Sequence, residues 1–429
     1  MKKIGTLIII FSVLAFLTGC APMTVSPTSY DSVVVGKNNP DTDIKAVQNA
    51  VDQGGTILLK GTFDFGNKGS VKIKNDISIL GETGISGAFK TLIKGGFESF
   101  HSPLPPELPP QAPGPKIKIQ NIHFDGALEE PINLAYSSGA TIKGNRITNV
   151  RPMLIDEAVL GKSGLYLQKG IICTSYLAQP KETRRYQPGA ITGVIEIADN
   201  EIDLKNEIPT KTVAHGVFVA WTTGATVKIL GNTVLNCSRN SIETIDNYRG
   251  EDGSGIIIIK DNRIVTATEG VPVPTPSTPN GIIAGCFYDM SAGIDPARNP
   301  EIFIKSNYIE TRGDTSSGIA LLGDRVVVTN NQFVLSGGPK ARGVLQLASN
   351  GLFANNKFVG SGNYAIFVSP HPKFKVFKAS RNTFVLNDIS SFKATSANAL
   401  FLGDNNVLFG KNGKVISKGK GNQIIEDVE

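Results

Sequence analysis

The stretch from Arg239 to Gly255, RNSIETIDNYRGEDGSG, concentrates groups that could move protons. Set beside two similar stretches, HGVFVA at His215 and NGIIAG at Asn280, it places His215 in line with Asn240 and Asn280. Glu243 then points outward, Asp246 closes the strand, and Asp289 follows in the next turn. Two carboxylates at that range can flank a glycosidic bond, one protonating the leaving oxygen while the other activates water or attacks. The same carboxylates could hold Ca²⁺ against a uronate, with His215 or Arg239 as the base of a β-elimination. A third reading is a solvated acidic turn, in which Glu243, Asp246, Glu251 and Asp252 pair with Arg239 and Arg249. The candidate catalytic set is Glu243, Asp246, His215 and Arg239, with Ca²⁺ as a candidate cofactor and no residue assigned as a metal ligand.

Tyr136, Tyr176, Trp221, Tyr248 and Tyr288 fall near one strand-to-turn edge in successive units. Rings in a row can bind the apolar faces of sugars, and they can equally stabilise turns with no ligand.

What must position these groups is a repeat. The pattern hydrophobic-x-x-Asn-x-hydrophobic occurs at Asn145, Asn200, Asn232, Asn262, Asn307, Asn331, Asn356, Asn382 and, more weakly, Asn405. From Asn307 onward it returns roughly every 25 residues, and the earlier intervals are longer, as if loops had been inserted. Each Asn follows a short alternating strand such as TVKIL or EIFIK. A second strand, opening with a small residue and an aliphatic (HGVFVA, NGIIAG, SGIALL, RGVLQL), stands before most of those. Three short strands per unit cannot bury their inner faces alone, so units must stack, with coils about 4.8 Å apart. An inward Asn can hydrogen-bond to the Asn of the next coil and to turn backbone, which makes its burial tolerable and fixes register. Asn121 stands one place out of that register.

The chain resembles right-handed parallel β-helix proteins of the pectin-lyase-like class over roughly residues 41 to 425. DTDIKAVQNAVDQGGTILLKGTF resembles the N-terminal cap of that class. Ile44, Val47 and Val51 lie on one face of a short helix, ahead of a first strand at Thr56 to Leu59. The expected fold is all-β, a single-stranded right-handed parallel β-helix with a capping helix, spanning residues 41–429. Pro-rich stretches at His101–Lys116 and Glu269–Gly281 must leave the coils as loops, and Arg151–Pro188 is a further insertion holding one coil around GIICTSY. Setting Val217, Ile242, Ile282, Ile319, Val344 and Ile366 as one inward column leaves Phe218, Glu243, Ile283, Ala320, Leu345 and Phe367 facing out. That outer row is mostly apolar, which implies a covering loop or partner over the C-terminal half. The Asp-Asp and Gly-His-Gly signatures of polygalacturonase-type enzymes are absent, and the pectate-lyase base motif has no clear match.

Lys2 and Lys3, an apolar run from Ile4 to Leu17, and Leu17-Thr18-Gly19-Cys20 resemble a bacterial lipoprotein signal. The resemblance implies a signal peptide over 1–19, lipidation of Cys20, a lipid-anchored tether over 20–40 and a place in the cell envelope. With Ala21 and no Asp after the Cys, the outer membrane is implied. The formal charge of +6, less Lys2 and Lys3, is +4, a mild excess that permits an acidic partner without demanding one. No nucleic-acid motif is present. Cys173, Cys237 and Cys286 read as small buried residues. Two functions follow: a polysaccharide lyase or glycoside hydrolase, or a non-catalytic glycan-binding or surface-structural protein.

Overall fold

The computed structural model describes residues 29–426 apart from 67–68, 85, 100–113, 136, 155–163, 175–192, 209, 271–278, 286–297, 373 and 411–412. The strands lie in three parallel faces, and each coil of chain adds one strand to each face, in register with the coil before. On the first face Val227, Ile257, Ile302 and Val326 pair in succession. On the second Val234, Ile264, Ile309 and Phe333 do so. The third carries Val217, Ile242, Ile282, Ile319, Val344 and Ile366, the inward column expected from the sequence. All of these are fully buried or nearly so, and together they form one continuous core along the axis. The chain is a right-handed parallel β-helix, the hand that parallel crossovers almost always take.

The asparagine column runs along the corner between the first and second faces. Asn262 donates through both its backbone N–H and Nδ2 to Asn307 Oδ1, each at 2.9 Å, and through Nδ2 to Ile229 O. The same pattern links Asn145, Asn200, Asn232, Asn262, Asn307, Asn331 and Asn356. The residue before each Asn turns the corner in the left-handed region, as at Asp261 (φ 57°) and Asn330 (φ 58°). Small polar residues tolerate that conformation, so the two-residue corner has a chemical logic. At the C-terminal end the column departs from the sequence reading. Asn356 hands on to Asn387, and Asn382 begins a second column, Asn382–Asn406–Asn422, at the corner leading into the first face. Asn405 is the turning residue there (φ 55°), and its neighbour Asn406 bonds inward. The hydrophobic-x-x-Asn-x-hydrophobic pattern marks an inward Asn before a strand at either corner, so it cannot say which.

The small residue that opens third-face strands also has a cause. A Cβ added to Gly318 or Gly343 would lie 2.6 or 2.5 Å from ring carbons of Phe333 or Phe358. Large second-face residues fill that corner, and only glycine leaves them room.

The cap is a helix over Pro40–Gln53, with Asn39 as N-cap, Val47 and Val51 buried and Ile44 packed partly against the core. The first long strand after it is Gly55–Asp64. Asp43 is buried inside the cap, its carboxylate accepting from the backbone N–H groups of Lys37, Asn39 and Asp64. The segment expected to be tether up to residue 40 contains a strand, Ser32–Val35, which pairs in parallel with Ile57–Lys60. Three consecutive valines favour an extended edge, and the added strand covers the first coil. The expected lipidation site Cys20 and the signal segment lie outside the described residues, as do Cys286 and most of both Pro-rich stretches.

Candidate functional site

His215 sits on the strand Thr212–Ala220 and Glu243 on the neighbouring strand Asn240–Ile245. Their register pairs His215 with Asn240 and Phe218 with Glu243, so Glu243 stands three residues further along the neighbouring strand and its side chain meets His215 diagonally. His215 Nδ1 lies 2.7 Å from Glu243 Oε2, and the two side chains are 11% and 8% exposed. Nδ1 faces the carboxylate at ion-pair distance, without the alignment of a good hydrogen bond, and Nε2 is the ring nitrogen on the other side. Asn240 Nδ2 donates to the same Glu243 oxygen at 2.6 Å, Asn280 Nδ2 donates to Asn240 Oδ1, and Ser317 N–H donates to Asn280 Oδ1. A second polar column thus runs along the leading edge of this face and ends on Glu243. Burial pushes the Glu243 carboxyl up, but the His215 charge and hydrogen bond, the Asn240 bond and the Arg239 charge outweigh it, and its pKa is lowered. Glu243 is a fixed carboxylate. Arg239 is half-buried beside it, with Nη1 buried and unbonded among the described residues.

Asp246 is wholly buried at the end of its strand, where φ of 54° turns the chain inward. Its backbone N–H donates to Gly285 O and its carbonyl accepts from Trp221 N–H. Among the described residues no three carboxylate, His or Cys groups converge as a metal site would require. Asp289, the third carboxylate of the sequence cluster, lies outside the described residues, and so do Tyr136, Tyr176 and Tyr288. Of the aromatic edge, Trp221 is half-buried at the surface, while Tyr248 is 3% exposed and packs under the Arg298 guanidinium. Phe218 completes a row of rings along this strand and the turn that follows it, edge-on to His215 at 5.8 Å and to Trp221 at 6.0 Å.

Sequence reasoning missed three groups on the same face. Lys169, on the strand Tyr166–Thr174, is in register with His215 one coil away. Its Nζ lies 3.2 Å from Glu130 Oε2 and 3.9 Å from Glu129 Oε1. Burial, reinforced by the Glu130 charge and opposed by Lys169, pushes Glu129 up to about 7. Aligning QKGIICTS with AHGVFVA would have found Lys169, but no repeated motif marks Glu129 or Glu130. Towards the C-terminus the apolar outer row is partly covered, as expected. Phe377 is fully buried against Leu322 and Leu347, with Phe374, Ile283 and Leu345 packed around them.

No known protein family matches the chain, and no curated protein matches it in sequence. Solved structures do resemble it. The mannuronan C-5 epimerase AlgE4 A-module of Azotobacter vinelandii aligns at 10% identity and a TM-score of 0.47, over 93% of this chain and 98% of that one. PfbA, a surface adhesin of Streptococcus pneumoniae, aligns at 13% identity and 0.45, over 88% and 92%. DFA-IIIase from Arthrobacter chlorophenolicus A6 gives 11% and 0.45, over 93% and 94%. Likeness at this level carries no function across, and the β-helix rests on the strand pairings themselves.

Proposed function

We propose that the third face of this β-helix binds an acidic polysaccharide and cleaves it by β-elimination, with His215 as general base. The observation that carries the reading is the 2.7 Å contact between His215 Nδ1 and the buried carboxylate of Glu243. A carboxylate at that distance orients the imidazole with Nδ1 towards it, which leaves Nε2 to take the proton beside a uronate carboxylate. As that C–H bond breaks, a C=C bond forms and the bond to the glycosidic oxygen breaks, the departing oxygen taking up a proton from solvent water. Arg239 supplies a cation to the substrate carboxylate, and Phe218 and Trp221 offer ring faces to sugars. A two-carboxylate hydrolase fits less well. Its general acid needs a raised pKa, whereas that of Glu243 is lowered, and Asp246 is buried. The ring row His215–Phe218–Trp221 favours a second reading, glycan binding without cleavage.

Incubation with acidic and neutral polysaccharides, following unsaturated-uronate absorbance and new reducing ends together, separates these readings. Absorbance and reducing ends rising together on acidic substrates is the expected result. Reducing ends alone would mean hydrolysis, and binding without either would mean a lectin-like role. The lipobox-like Leu17-Thr18-Gly19-Cys20 supports placing this activity in the cell envelope, on a lipid anchor at Cys20.

A further inference from the structure

Beyond His215, the third face carries a second arrangement of a cation and rings that neither the mechanism nor the core uses. Tyr364 and Phe367 stand three residues apart on the strand Tyr364–Val368, their rings stacked at 5.2 Å and 19°. Arg342, on the adjacent strand Arg342–Gln346, is in register with Tyr364 and lays its guanidinium 4.9 Å over the Phe367 ring. All three are half-buried. Arg342 Nε is buried without a hydrogen-bond partner, and no carboxylate pairs with the guanidinium among the described residues. Burial holds that guanidinium below its usual pKa, against the opposing effect of Tyr364. A partly dehydrated, unpaired cation gains most from an anion that can take two of its N–H groups at once. The flat ring pair beside it suits the C–H face of a pyranose.

We propose that Arg342, Tyr364 and Phe367 form a second subsite on the third face, which binds a carboxylate-bearing sugar of the glycan chain that also reaches His215. The proposal rests on the reading of this face as an acidic-polysaccharide groove, and adds to it a minimum chain length. Pairing runs from Glu243 through Ile283, Ala320 and Leu345 to Phe367. Arg342 is therefore three coil steps from the Glu243 strand, about 14 Å, and the ring pair four steps, about 19 Å. The floor between them is uncharged, and Ile283 and Leu345 there are partly buried beside the cluster of Phe374 and Phe377, so the chain must pass alongside that cluster. A chain lying along the axis spans both sites only when it is several sugars long.

The test is calorimetric titration of the full chain in detergent with oligogalacturonates and oligomannuronates, from disaccharide to octasaccharide, against neutral cello-oligosaccharides. Affinity is expected to step up roughly tenfold once the acidic chain is long enough to span both sites. Arg342→Gln should abolish the step, so that the ratio of long-chain to short-chain affinity collapses, and neutral oligosaccharides should show no step. Tyr364→Ala provides a second variant should Arg342→Gln melt early. A length series with no step, or a step that survives both substitutions in folded protein, overturns the subsite but leaves the His215 reading standing if short acidic chains still bind. Failure of the wild type to bind any acidic chain overturns both.

Discussion

A carboxylate that lies 2.7 Å from His215 Nδ1 and accepts from Asn240 Nδ2 while almost wholly buried is held below the usual carboxylate pKa, and the proposed chemistry rests on it. In the proposed reading Glu243 positions the imidazole, and His215 meets the substrate. Glu129 behaves in the opposite way. Its pKa of about 7, raised by burial and by Glu130, means that the folded chain holds a proton that the unfolded chain releases near 4.5. Stability from this group is therefore fully present below about pH 4.5 and is lost as pH rises through 7. Melting curves of Glu129→Gln should lose that decline between pH 4.5 and 7, and an unchanged slope would refute the assignment. At this scale the sequence was informative where alternation held. The outward pairing of Phe218 with Glu243 and the level of His215 with Asn240 follow from counting along matched strands. Counting failed at corners. Asp246 and Tyr248 read as surface groups, but the left-handed turn at Asp246 folds both under the edge.

The elements that hold the site are short strands kept in register by their corners. In the asparagine column each amide both donates and accepts, so one substitution breaks bonds in two coils. Asn307→Ala would strip the Asn262 backbone N–H of its acceptor and the Ile259 carbonyl of a donor. Each buried orphan costs about 1–3 kcal/mol, and a fall in unfolding free energy of that order is expected from denaturant melts. A variant melting with the wild type would show that the column is ornamental. This column was legible because seven of the nine copies of one pattern, from Asn145 to Asn356, place Asn between two apolar residues at the same corner. Its C-terminal branching was not, because Asn382 and Asn387 lie within one coil and only the corner each occupies separates them. The strand Ser32–Val35 was missed for a different reason. Four residues ahead of the cap carry no repeat pattern, and what fixes them is pairing with Ile57–Lys60.

Across the whole molecule, one core runs the length of the axis, and the outer surface of the third face changes character along it. Polar and titratable groups around Lys169, His215 and Glu243 give way to the uncharged stretch of Ile283, Ala320 and Leu345, then to Arg342 and its rings. That succession suits a long ligand lying along the axis. No described helix is long and apolar enough to cross a membrane. The proposed envelope placement is tested at Cys20: labelling with a radioactive fatty acid should mark the wild type but not Cys20→Ser. Equal labelling of both would remove the anchor. The central claim is that His215, set by Glu243, abstracts a proton from an acidic glycan. It is tested most directly by the rate at which unsaturated uronate ends appear with wild type and with His215→Ala, at matched melting temperature. The expected loss is about 10²- to 10⁴-fold, the usual worth of a positioned general base; equal rates would contradict the claim.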